Sequence, residues 1–90
     1  MLRITLVAQT ADEVLLKLEG WIEPEDVVVL EQEGTRWLGQ QKRLVLDMAQ
    51  VKSIDRAGLQ LLQGWAGERL EVQHSSPYVH ELLQTYGVVE

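Results

Sequence analysis

Few side chains in this 90-residue chain can do chemistry, and most of those stand alone. His74 and His80 are its two histidines, a spacing that matches no recognised metal-ligand pattern and would need further donors. Cysteine is absent, which removes thiol catalysis, thiolate metal sites and disulfides together. Gly34 and Gly39 have no strand before them and no Lys-Ser/Thr after them, so they make no phosphate loop. No nucleophile stands beside a base, and no carboxylates are paired at a defined spacing. The expectation is therefore no catalytic, cofactor-binding or metal-binding residue. What remains is the stretch VKSIDRAGLQLL, Val51 to Leu62, where a hydroxyl (Ser53), a carboxylate (Asp55) and a guanidinium (Arg56) precede Ala57-Gly58-Leu59. That combination suits recognition by charge and hydrogen bonding.

Composition narrows what could be recognised. Fourteen acidic against eight basic residues give a net charge of -6, which repels nucleic-acid backbones and anionic lipid surfaces. Nucleic acid and direct membrane insertion are poor candidates, since no apolar run approaches the ~18 residues that a membrane span needs. The N-terminal MLRITLVAQTADE is broken by Thr5 and Gln9 and is too short for a signal sequence. A cysteine-free chain with these features is expected in the cytoplasm, folded as one domain over residues 1–90.

The elements that hold the stretch can be read from periodicity. Leu2, Ile4 and Leu6, then Val14, Leu16 and Leu18, alternate at the spacing of half-buried strands. The short QTADE between them predicts an antiparallel hairpin, with Gly20 closing its second strand. From Pro24 the apolar positions Val27, Leu30, Gly34, Trp37 and Leu38 share one helical face. Leu44, Val45 and Leu46 run consecutively, as in a central strand covered on both faces and ended by Asp47. Val51 to Arg56 then reads as a loop. A helix follows, with Asp55 as N-cap and Leu59, Leu62 and Ala66 facing inward. Leu70 and Val72 mark a fourth strand, and Ser76, Pro77 and Gly87 bracket a last helix. The sum is an α/β fold ordered β-β-α-β-α-β-α, a four-stranded mixed sheet with three helices, whose later strands run parallel. Of the tryptophans, Trp37 is expected in the core, whereas Trp65 falls beside the Leu59/Leu62 face and is an interface candidate.

The LVLDM strand, the VKSID segment, AGLQLL opening a helix and the HSSPYVHELLQTYGV ending together resemble a STAS domain, over essentially the whole chain. That family includes bacterial anti-anti-sigma factors and the cytoplasmic tails of sulfate transporters. The resemblance implies that Asp55 is the family's loop Asp, that Gly58-Leu59 are its Gly-Leu, and that the residue after the Asp is the Ser or Thr phosphorylated by a partner kinase. Here that position is Arg56, and Ala57 carries no hydroxyl either. A phosphate would bring about -1.5 to -2 charges to a helix start. Arg56 places a fixed positive charge there, against the helix dipole by ~0.3–1 kcal/mol, so its head should point outward or pair with Asp55, Asp47 or a partner carboxylate. Ser53, the remaining hydroxyl, is read as stabilising a turn.

Two functions follow from the resemblance. The first is a non-enzymatic module like an anti-sigma factor antagonist, binding an anti-sigma or serine-kinase-like ATPase through Ser53, Asp55, Arg56, Ala57, Gly58 and Trp65, without the usual phosphorylation. The second is a STAS accessory subunit of an ABC-type phospholipid transport system that binds the system's ATPase.

Overall fold

The computed structural model describes residues 1–89; Glu90, the last residue of the expected domain, lies outside the described residues. The order is β1 (Leu2–Gln9), β2 (Glu13–Ile22), a 3-10 turn (Pro24–Asp26), α1 (Val27–Leu38), β3 (Arg43–Ile54), α2 (Arg56–Trp65), β4 (Leu70–Gln73) and α3 (Pro77–Thr85). The strands form one sheet ordered β1-β2-β3-β4, with β1 antiparallel to β2 and the other pairs parallel. This is the expected α/β arrangement. The hairpin is closed by Thr10, whose Oγ1 accepts from the Glu13 amide at 3.1 Å.

All three helices pack on one face of the sheet. Their inward residues, Leu30 and Trp37 of α1, Leu59, Leu62 and Trp65 of α2, and Val79 and Leu83 of α3, share a single cluster with Leu16, Leu18, Leu44, Leu46 and Met48. Each fully buried leucine there contributes about 1.5–3 kcal/mol over an exposed one. Val45 is also buried, at 4 % exposure, yet it belongs to the opposite face, outside that cluster. The expectation that β3 is covered on both faces holds, although the helices lie on one face alone. Val45 is covered by its sheet neighbours, Leu15 and Glu71 in register, with Glu71 paired to Arg43. Long polar side chains can bury an apolar neighbour with their stems while their charged ends stay in water.

Two corrections concern strand lengths. β2 does not end at Gly20 but continues to Ile22, with Gly20 at φ +100, a conformation that strains any other residue. β3 likewise continues through VKSI, so the expected loop is the second half of a strand. The register between β2 and β3 slips twice, between Lys17 and Glu19 and between Gly20 and Trp21, and each slip gives β3 an extra residue. Buried positions on β3 therefore change from Leu44, Leu46 and Met48 to Val51 and Ile54, which disguises the strand.

The end of α3 follows its sequence signals. Ser76 Oγ accepts from the Val79 amide at 3.3 Å, and Gly87, at φ +73, donates to the Gln84 carbonyl while Val88 donates to that of Leu83. No helix among the described residues is long and apolar enough to cross a membrane.

Candidate functional site

The stretch that stood out in sequence lies where β2 and β3 end side by side and α2 begins. Trp21 is in register with Ser53, and Ile22 with Ile54. The Asp55 amide donates to the Ile22 carbonyl at 2.7 Å, which ties the turn into α2 to the end of β2. The Asp55 carboxylate accepts from the Ala57 amide at 2.9 Å, with extended backbone at φ -70 and ψ 160, as an N-cap requires. Asp55 is thus engaged with its own helix.

Gly58 explains why the helix can start so close to the strands. A Cβ there would lie 2.9 Å from Ile22 Cγ2 and 3.0 Å from Ile54 Cγ2, closer than real side chains sit. Gly58 is buried, so its part is to let the backbone approach, and it does not face outward. Trp65 also leaves the expected contact surface. It is 7 % exposed and its ring fills the notch left by Gly34 of α1, where an added Cβ would overlap the indole. The inward arc of α2 is centred on Leu62 and runs from Gly58 to Leu59, wider than the Leu59/Leu62 stripe, and Trp65 lies at its edge. Trp37 is buried as expected, with Arg36 and Lys42 approaching its ring at 4.9 and 5.6 Å.

The tryptophan at the surface is Trp21, 54 % exposed. It flanks a shallow depression of about 340 Å³ together with Glu23, Pro24, Ser53, Asp55 and Arg56. The signal for it was present in sequence: Val14, Leu16 and Leu18 point inward at even positions, so an odd position on the same strand points outward. Arg56 is exposed, and among the described residues its guanidinium pairs with neither Asp55 nor Asp47. The Asp47 carboxylate is instead occupied by the Ala49 amide at 3.0 Å. Ser53 is half-buried within β3, not in a turn, and its hydroxyl makes no hydrogen bond among the described residues. The reading of Ser53 as a turn-stabilising residue is corrected accordingly. Ala57, also half-buried, follows Arg56 in the first turn of α2.

Glu23 supplies the opposite charge. Its Oε1 lies 2.9 Å from the Met1 ammonium, and this hydrogen bond raises the pKa of that fully exposed amine. Its backbone amide donates to Asp26 Oδ2 at 3.0 Å, which fixes the 3-10 turn beside the depression. The site therefore presents a flat aromatic ring, a free guanidinium and a fixed carboxylate within one small area. These are groups that can stack and pair by charge. No group of three or more His, Asp or Glu side chains is placed to hold a metal ion among the described residues.

Comparison with known proteins agrees with this architecture. A family model described as "Mlab, STAS domain" matches residues 5–90. The solved structure of the anti-sigma factor antagonist SpoIIAA in its unphosphorylated form superposes with a TM-score of 0.77 at 18% identity, covering 96% of this chain and 82% of that one. No curated protein matches the sequence.

Proposed function

We propose, from the premise that this chain belongs to the Mlab STAS-domain family, that it is a non-enzymatic protein-binding module whose contact surface is the rim formed by Trp21, Ser53, Asp55 and Arg56, with the adjoining Ala57. The observation that carries the reading is the exposed and unpaired Arg56 guanidinium beside the exposed Trp21 ring. Desolvating an unpaired charge is costly, so Arg56 favours a partner that offers a carboxylate or carbonyl cluster. Trp and Arg are the residue types that most often carry binding energy in interfaces.

The interaction is constitutive on this side, because the position where a phosphate would reverse the local charge holds a permanent cation. The partner is an ATPase in both readings from sequence, a serine-kinase-like regulator or the ATPase of a phospholipid transporter. The family match supports the STAS module that both readings share. The solved antagonist supports the shared fold. The protein acts in the cytoplasm, where such ATPases work.

Affinity purification of the tagged protein from its host separates the two partner classes. Recovery of a histidine-kinase-like ATPase supports the regulatory reading, and recovery of a transport ATPase with its permease supports the transport reading. Mass spectrometry after incubation with the cognate kinase should find no phosphate on Ser53; finding it there would end the constitutive model.

A further inference from the structure

The two edges of the sheet are built differently. β4, at one edge, is four residues long and carries Glu71, with Glu68 and Arg69 just before it. Short, charged edge strands resist pairing with other chains. β1, at the opposite edge, is eight residues long with Arg3 as its single charge and no acid, in a chain of net charge -6. Among the described residues no strand pairs with its outer side.

The backbone direction along β1 is fixed by its inner partner. Trp21 donates to the Met1 carbonyl at 3.3 Å, so odd-numbered residues turn their amide groups toward β2, and Leu2, Ile4 and Leu6 turn theirs to the open edge. The same three side chains point to the helix face, where they line a groove of about 500 Å³ against Val29, Glu33 and Arg36 of α1. Leu6 and Val29 are about half exposed, at 49 % and 52 %, as is Val7, the next residue of β1, at 53 %. Three of the large exposed apolar side chains, Leu6, Val7 and Val29, therefore lie along this one edge. A bulge between Leu6 and Ala8 ends the regular segment, which leaves Leu2 to Leu6 as the pairing unit.

We infer that this edge pairs with a second copy of the same chain, β1 against β1 in antiparallel fashion, centred on Ile4. In that register Leu2 lies opposite the second copy's Leu6 and Ile4 opposite its counterpart, so apolar side chains meet apolar ones in the groove. On the other face Arg3 lies opposite Thr5, and no like charges are opposed. This complementarity selects a second copy over an acidic or basic partner segment: the strand that fits the edge is uncharged on its groove side, as β1 itself is. Glu33 and Arg36, 3.9 Å apart at the groove wall, present both signs to the second copy's identical pair, so the α1 helices are not repelled across the axis. The contact does not use the Trp21/Arg56 rim, and the inference stands or falls separately from the proposed function.

Sedimentation equilibrium across a concentration series should show the mass rising from 10.3 kDa toward twice that value. Leu6→Lys and, independently on the helix, Val29→Lys should both return it to monomer while the circular dichroism spectrum is unchanged. The absence of native cysteine allows a register test. Arg3 and the opposite Thr5 form a non-hydrogen-bonded pair with Cα atoms about 4.5 Å apart, within disulfide range. An oxidised mixture of Arg3→Cys and Thr5→Cys proteins should therefore give the mixed disulfide, whereas each alone has its thiols two residues out of register, beyond about 7 Å. A monomer at every concentration, a dimer that survives both lysine substitutions, or cross-linking of either variant alone as fast as the mixture would overturn the inference.

Discussion

Trp65 and Trp21 show how two residues of the same type divide the work of the fold and the site. Trp65 stands on the last turn of α2, closed against Gly34 of α1 and almost fully buried. Trp21 stands near the end of β2 with half its surface in water, next to Arg56 at the start of the same helix. One end of α2 is therefore fastened by an aromatic ring in a notch made by a missing Cβ. The other end is positioned by the Asp55 cap and the Gly58 contact, and carries no ring of its own. The difference teaches that an aromatic residue contributes stability where a cavity of matching shape exists and, where none does, stays in water and free for the recognition we propose.

Breaking the first half of this comparison should have the largest effect. Trp65→Ala should destabilise the protein by about 3–5 kcal/mol, read as a lowered denaturation midpoint in urea, because it empties the notch against α1. Next in size, Gly34→Ala should cost about 1–3 kcal/mol despite alanine's better helix propensity, since its methyl group overlaps the Trp65 ring. A smaller loss of about 1 kcal/mol is expected for Asp55→Ala, which removes the acceptor for the Ala57 amide. Least of all, Trp21→Ala should shift stability by no more than about 0.5 kcal/mol, as for exposed side chains generally. A Trp21→Ala variant as unstable as Trp65→Ala would erase the distinction between the two tryptophans.

The order of elements was legible from sequence, because hydrophobic period and caps agreed at most boundaries. Asp55, Ser76, Pro77 and Gly87 each occupy the terminal position their chemistry suits. The second half of β3 was not legible, because two register slips replace the two-residue spacing of its inward positions by three and make a strand resemble a loop. Nor was the burial of Trp65, since the notch that receives it is a glycine on another helix, and a missing side chain gives no hydrophobic signal. Trp21 could have been placed outward by extending the alternation of β2, had Gly20 not been read as the strand's end. The frame of the candidate site, Asp55 and Arg56 with Gly58 behind them, was legible as a motif. Its aromatic partner came from a neighbouring strand, which only the parallel pairing of β2 with β3 brings alongside.

The central claim is that partner binding is carried by the Trp21/Arg56 rim and not by the buried Trp65 end of α2. The most direct measurement is the affinity of the captured ATPase partner, by titration calorimetry, for the wild type, Trp21→Ala and Arg56→Glu proteins, with urea denaturation of each. The account predicts that both substitutions raise Kd by tenfold or more, the rough equivalent of losing ~1.4 kcal/mol or more, while the denaturation midpoints stay where they were. Unchanged affinity in both variants, with folding intact, would contradict it.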